Sequence, residues 1–418
     1  MDRRDGPRVV TYVIDAGGGH RAAAAALVAA AAQRRDAFDL DVVSLQEVLG
    51  PLDLLKRVSS ISIQDAYNAL LRTCRTAYLA PLLRLLHLTI RLRRRALVAR
   101  LAADLASRRP DAVLSVVPNF NGIIRDAVTA AGLSVPFLVM LTDFADLPPR
   151  FWIESGLGGV VVATDLAVEQ ALALGLPAAR IHRTTGMVLH PRFYPRSPRG
   201  PRHGLRRELG LRTDGKVVLV MFGGNGSEEM RPLAAALLAE DPQWQVVAMC
   251  GRNLRLAEDL GALVAGSAGR LRSVGFTDRV ADYLAVADVL VSKPGPGALA
   301  EAFHQRVPVV VALDPRTIPQ ERYNARFVAE RGLGLVVGSS REMPRAAARL
   351  VHDLALRGRV LAALERLPEN RAVFEVLDLV GDVLCHGTSR GEGHATAATG
   401  VTIPPTLHVA GANGAVLS

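Results

Sequence analysis

Short runs of Val and Ile alternate with Ala- and Leu-rich stretches of helical length, and the alternation occurs as two successive series. The first series places strands at residues 8–14, 40–44, 112–117, 137–141 and 159–163. The second places them at 217–222, 245–249, 287–291, 307–312 and 333–337. A strand that is apolar on both faces needs helices on both sides, which is the condition of a parallel sheet. Two such series predict two doubly wound α/β domains, and ligands of such sheets lie beyond the carboxyl ends of the strands. Two domains also suit 418 residues, a length beyond the range of one ordinary core. Aromatics are only 5% of the chain, so both cores must be aliphatic.

The predicted boundaries are a first domain at 1–190, a linker at 191–202, a second domain at 203–367, a closing helix at 368–386 and a disordered tail at 387–418. The linker is where Pro, Gly and Arg replace the periodic pattern, and the tail is rich in Gly, Ala and Thr without periodicity. A basic helical insertion at 51–109 interrupts the first domain. It holds twelve Lys and Arg residues against the three acids Asp53, Asp65 and Asp104, nearly all of the chain's net charge of +10. Such a concentration expects an anionic partner. Cys74, Cys250 and Cys385 are too few and too scattered for a disulfide framework or a zinc cluster, which points to a reducing cytosol. The charged start expects no signal peptide, and no apolar run reaches the roughly 20 residues that span a bilayer.

Three loops carry the chemistry. Gly17-Gly18-Gly19-His20 follows the first strand and opens an Ala-rich helix, so backbone amides and His20 face whatever the loop approaches. Phe222-Gly223-Gly224-Asn225-Gly226 is the same device at the matching place in the second domain. It lacks the third glycine and the distant acid of a dinucleotide fingerprint, which disfavours NAD and FAD. Lys293-Pro294-Gly295-Pro296-Gly297 opens a helix that carries Glu301. Amides at Gly295 and Gly297 suit a diphosphate, and a carboxylate one turn deeper suits paired sugar hydroxyls. Gln320 and Asn324 lie one turn apart on a helix start and suit hydrogen bonding to a sugar.

These motifs, with Gly251-Arg252, Gly275-Phe276-Thr277 and Thr142-Asp143-Phe144-Ala145-Asp146, resemble glycosyltransferase family 28 over residues 8–382. The likeness is nearer its monogalactosyldiacylglycerol synthase branch than its lipid II N-acetylglucosaminyltransferase branch. The resemblance implies a GT-B fold, two Rossmann-like domains facing across a cleft. It places Gly223, Gly224, Gly295 and Gly297 around the diphosphate and assigns Asn225, Gly251, Arg252 and Pro296 to the same nucleotide-sugar site. By the same likeness Phe276 frames a uracil, Glu301 binds the ribose, and Gln320 and Asn324 meet the donor sugar. Gly17, Gly18 and Gly19 fall on the acceptor side, with Asn119 and Asn121 where family members often carry His-Pro.

The implied reaction is an inverting transfer of a hexose from a UDP-sugar to a lipid, with diacylglycerol as the expected acceptor. His20 is the expected base because neutral imidazole titrates near working pH, with Asp143 and Asp146 as alternatives. No metal and no other cofactor is expected. Asp39-Leu40-Asp41 has the form of a metal-binding pair but enters a strand. Leucines from Leu82 to Leu92 crowd the gaps between Arg84, Arg91, Arg93, Arg94 and Arg95, the pattern of a helix lying on an anionic membrane surface. Aromatic platforms for nucleic acid are missing, so the expected location is peripheral, on the inner face of the cell membrane. The alternatives are an N-acetylglucosamine transferase acting on another lipid-linked acceptor, a sugar-nucleotide epimerase, and a non-catalytic nucleotide-sugar binder.

Overall fold

Two parallel sheets of six strands each form the molecule. The structure, a computed structural model, describes residues 6–15, 18–50, 79–194 and 202–388. The first sheet has the order β2-β1-β3-β4-β5-β6, built from β1 (Arg8–Val13), β2 (Asp39–Ser44), β3 (Ala112–Ser115), β4 (Phe137–Met140), β5 (Gly159–Val162) and β6 (Ile181–Arg183). The second has the order β12-β11-β10-β7-β8-β9. Its strands are β7 (Lys216–Met221), β8 (Trp244–Gly251), β9 (Leu271–Gly275), β10 (Val289–Ser292), β11 (Val309–Ala312) and β12 (Gly334–Val337).

All ten strands read from the sequence form, with ends shifted by one or two residues. β6 and β9 are additions, and both are edge strands. With one neighbour each, they carry polar residues, as in Leu-Arg-Ser-Val-Gly of β9, and show no continuous apolar run. Chain order reverses between β1 and β3 in one sheet and between β7 and β10 in the other. A doubly wound sheet opens a crevice at such a reversal, because the flanking helices leave on opposite faces.

Helix Leu79–Arg108 covers one face of the first sheet with Leu97, Leu101 and Leu105, spaced one turn apart and buried. Residues 51–78 of the expected insertion, and the tail beyond 388, lie outside the described residues. Helix Arg202–Glu208 begins on the last residue assigned to the linker, so the second domain starts there. At the other end, helix Ala372–Thr388 returns to the first domain. Its Val373, Val376, Leu377 and Val380 share a core with Leu27 of helix Gly19–Arg34 and Val9 of β1. Phe144, from the loop after β4, makes the opposite crossing and is buried in the second domain's core.

Candidate active site

The first wall forms at the reversal between β1 and β3. Gly18 turns the chain at φ 86°, a left-handed conformation that glycine adopts without penalty, and helix Gly19–Arg34 follows at once. Gly17 lies outside the described residues. His20, in the first turn, is hydrogen-bonded through Nδ1 to Thr142 Oγ1 at 2.9 Å, and its ring lies 5.5 Å from that of Trp152. Burial pushes its pKa down to about 4, partly opposed by a hydrogen bond at the Val116 backbone. The imidazole is therefore neutral throughout the working range and does not titrate near it, which corrects the expectation from its ordinary value.

Trp152 is fully buried and donates its Nε1–H to Asp143 Oδ2 at 2.8 Å. Burial lifts the Asp143 pKa to about 7. Glu321 and Asp146 push the same way, while the Trp152 hydrogen bond and Lys293 oppose them. Glu321 and Lys293 belong to the second domain, so Asp143 faces it across the cleft. Asp146 is engaged otherwise: its carboxylate accepts the backbone N–H groups of Arg150 at 2.9 Å and Trp152 at 2.6 Å and so staples the loop. That removes Asp146 as a proton acceptor.

Asn121 is a support of the same loop. It is fully buried, accepts from Ser115 Oγ at 2.6 Å and donates to the Trp152 carbonyl at 2.8 Å. Both ends of its amide are engaged inside the protein, which corrects its assignment to the acceptor. Asn119 sits at the rim with φ 66°, and its Oδ1 is 2.8 Å from His87 Nε2 of helix Leu79–Arg108.

The second wall forms at the reversal between β7 and β10. Gly223 and Gly226 both have positive φ. Gly251, φ 57°, lets the end of β8 close on this loop: a Cβ there would stand 2.1 Å from the Gly224 carbonyl, which instead accepts the Arg252 N–H at 2.9 Å. Asn225 is exposed on the turn. The Arg252 guanidinium lies 4.0 Å from the ring centroid of Phe276, which is 64% exposed at the mouth.

The loop after β10 differs from expectation in one respect. The Gly295 N–H is turned back onto the Lys293 carbonyl at 2.7 Å, and Pro294 and Pro296 have no N–H. Gly295 therefore offers a diphosphate no amide, whereas Gly297 stands in open space in the first turn of helix Pro296–His304. Glu301, one turn further, makes no side-chain hydrogen bond among the described residues. Burial raises its pKa to about 8, against the pull of Arg192.

On helix Pro319–Arg331, Asn324 donates to the Pro294 carbonyl at 2.8 Å and so fixes this loop. Among the described residues, Gln320 Oε1 and Asn324 Oδ1 are buried without a hydrogen-bond partner. Lys293 and Thr142 stood in motifs read from the sequence but were given no role there, and Glu321 and Trp152 were not singled out. Their part depends on contacts between residues far apart in the chain.

Among the described residues, no three His, Cys, Asp or Glu side chains cluster as metal ligands, and Asp41 pairs with Arg108 at 2.9 Å. Helix Leu79–Arg108 presents Leu88 (52% exposed) and Leu92 (76% exposed) beside the exposed Arg91 and Arg95. Spacings of three and four residues put these four on one face. Arg94 is not among them, because it pairs with Asp126 and Gly122 on the adjacent helix Asn121–Ala130. Arg93 is half-buried, and the Arg84 side chain lies outside those described.

Residues 217–373 match the glycosyltransferase family 28 C-terminal domain, as the motifs implied. A processive diacylglycerol beta-glucosyltransferase of Bacillus subtilis is 29% identical over 255 residues, 61% of this chain and 64% of that protein. Monogalactosyldiacylglycerol synthase of Spinacia oleracea is 28% identical over 254 residues, 58% of this chain and 47% of that one. The chain thus spans about half to two thirds of these curated relatives. Among solved structures, MurG of Acinetobacter baumannii aligns with a TM-score of 0.57 at 15% identity, covering 90% of this chain and 99% of that one. A putative UDP-N-acetylglucosamine 2-epimerase from Listeria monocytogenes also reaches 0.57, at 16% identity, with 91% and 97% covered. The paired parallel sheets are the GT-B fold.

Proposed function

We propose that this chain, with its glycosyltransferase family 28 C-terminal domain at 217–373, transfers a hexose from a UDP-sugar to a membrane lipid with inversion, diacylglycerol being the acceptor. The observation that carries this reading is the opposition of Asp143 and His20 on one wall to Lys293, Glu301 and Glu321 on the other. His20 follows β1, and Lys293 and Glu301 follow β10, the strands at which the two sheets reverse. The diacylglycerol-using relatives supply the acceptor class.

In this reading the nucleotide enters the second domain. Phe276 lies under the base, Glu301 takes the ribose hydroxyls, the Gly223–Gly226 and Lys293–Gly297 loops take the diphosphate, and Gln320 and Asn324 reach the sugar. The acceptor oxygen attacks the anomeric carbon from the first domain's side. The new C–O bond forms as the bond to the diphosphate breaks, and that electron pair leaves with the UDP. The acceptor proton goes to His20. The ring is neutral and ready to take it, with Nδ1 oriented by Thr142. The Asp143 carboxylate, hydrogen-bonded to Trp152 beside the His20 ring, offsets the charge of the imidazolium that forms.

A membrane acceptor is supported by the stripe of Leu88, Arg91, Leu92 and Arg95. It begins one residue from His87, which is bonded to Asn119 on the cleft rim. No helix among the described residues is long and apolar enough to cross a membrane. In this reading the stripe makes a peripheral contact, on the inner face of the cell membrane. The test is incubation with UDP-glucose, UDP-galactose or UDP-N-acetylglucosamine and mixed lipids, followed by mass spectrometry. A hexosyl-diacylglycerol together with released UDP is expected. A sugar-nucleotide isomer without lipid product overturns the reading in favour of an epimerase.

A further inference from the structure

Lys293 leaves the carboxyl end of β10, at the reversal of the second sheet. Its Cε would lie 3.8 Å from a Cβ at Gly223 and 3.7 Å from one at Gly295, so its stem fills the gap between the two glycine loops. Its ammonium is fixed by Glu321 Oε1 at 2.9 Å, and the two side chains are 38% and 10% exposed. Glu321 is in the first turn of its helix and nearly buried, so it cannot follow the lysine outward. An ammonium has three donors, and Glu321 uses one. The surrounding loop supplies few others, because Pro294 and Pro296 have no N–H and that of Gly295 is turned inward.

We propose that Lys293 is the cation that receives the charge of the departing diphosphate, with Glu321 as the residue that holds the ammonium between the two loops. This rests on the cleft being a UDP-sugar site. When the anomeric C–O bond breaks, its electron pair stays on the diphosphate oxygen, and the leaving group gains one negative charge. The ammonium remains protonated and transfers nothing. A fixed positive charge close to that oxygen favours the separated state more than the intact donor, which is the condition for raising turnover.

The test compares calorimetric binding of uridine, UDP-glucose and UDP by the full chain with Lys or with Met, Gln or Arg at position 293. Lys293→Met and Lys293→Gln are expected to leave uridine affinity unchanged, to weaken UDP-glucose several-fold, and to weaken UDP by about ten- to a hundredfold. The graded order follows ligand charge. Lys293→Arg should recover most of the UDP affinity, and in the Met and Gln variants kcat should fall by a larger factor than KM for the donor rises. Equal weakening of all three ligands means that Lys293 only supports the loops, and unchanged UDP affinity removes it from the diphosphate. Either result overturns the proposal while leaving the donor site in place. A parent protein that binds neither uridine nor UDP overturns the donor reading itself.

Discussion

Phe144, carried by the loop after β4 of the first sheet, packs edge-on against Phe327 of the second domain, with centroids 5.1 Å apart and planes at 78°. Phe303 completes the cluster at 6.4 Å. One residue before Phe144 is Asp143, and two before it is Thr142, the partner of His20. The residue that packs against the second domain's core is thus a chain neighbour of the polar groups on the first wall. Phe144→Ala removes a buried ring and should lower stability by about 3–5 kcal/mol. It should also split thermal unfolding into two transitions, because the contact couples the two cores. Calorimetry showing one unshifted transition would place the coupling elsewhere, in helix Ala372–Thr388.

Asp143 predicts the pH dependence. Its folded pKa of about 7 lies above the 3.8 of an exposed aspartate. Its contribution to stability is therefore complete below about pH 4 and is lost as pH rises through 7. Turnover runs in the opposite sense, because only the carboxylate offsets an imidazolium, so the rate should climb through pH 7. Asp143→Asn should flatten both curves and slow the enzyme. His20 is neutral above its pKa of about 4 and cannot produce that limb. His20→Ala should cut turnover by about 10²–10⁴ at every pH while leaving UDP affinity intact. A limb that persists in Asp143→Asn assigns it to another group.

Glu301 predicts proton release on binding. Burial lifts its pKa to about 8, so the carboxyl is largely protonated at pH 7. Two ribose hydroxyls donating to it would favour the ionised form and expel that proton. Calorimetry of UDP binding in buffers of different ionisation enthalpy should show release of a fraction of a proton approaching one at pH 7, and none in Glu301→Gln. Binding without proton release in the parent protein would take Glu301 away from the ribose.

Both glycine loops and both series of core strands were legible in the sequence. A buried parallel strand must be apolar along its length, and a strand-to-helix turn with positive φ favours glycine. The pairings of Lys293 and Trp152 were not legible, since each has a partner brought in by the fold, Glu321 and Asp143 respectively. Gly295 shows the converse error. Its residue type suits an amide cradle, but the prolines on either side turn its N–H onto Lys293. Asn121 misled similarly, because a polar residue after a strand end is indistinguishable in sequence from a loop support. In the basic segment, charge was read correctly as a total and wrongly in detail: Arg94 has a partner on another helix, and only contacts reveal that.

That detail changes the membrane experiment. Sequence alone singles out the run Arg93-Arg94-Arg95, yet only Arg95 of the three is exposed beside Leu92. Arg91→Gln with Arg95→Gln should weaken sedimentation with vesicles containing anionic lipid. Each lysine or arginine near such a surface contributes about 1 kcal/mol, so the pair should cost roughly tenfold or more in binding, and less as salt rises. Leu88→Ser with Leu92→Ser should weaken binding to neutral and anionic vesicles alike, because apolar insertion does not depend on headgroup charge. Neither pair touches the cleft, so turnover on a detergent-dispersed acceptor should stay near that of the parent. Arg94→Gln is the contrasting case. It breaks the pair with Asp126, and its effect should appear in thermal stability and not in vesicle binding. If Arg94→Gln lowers vesicle binding as much as the Arg91 and Arg95 pair does, the docking face is not the stripe around Leu92.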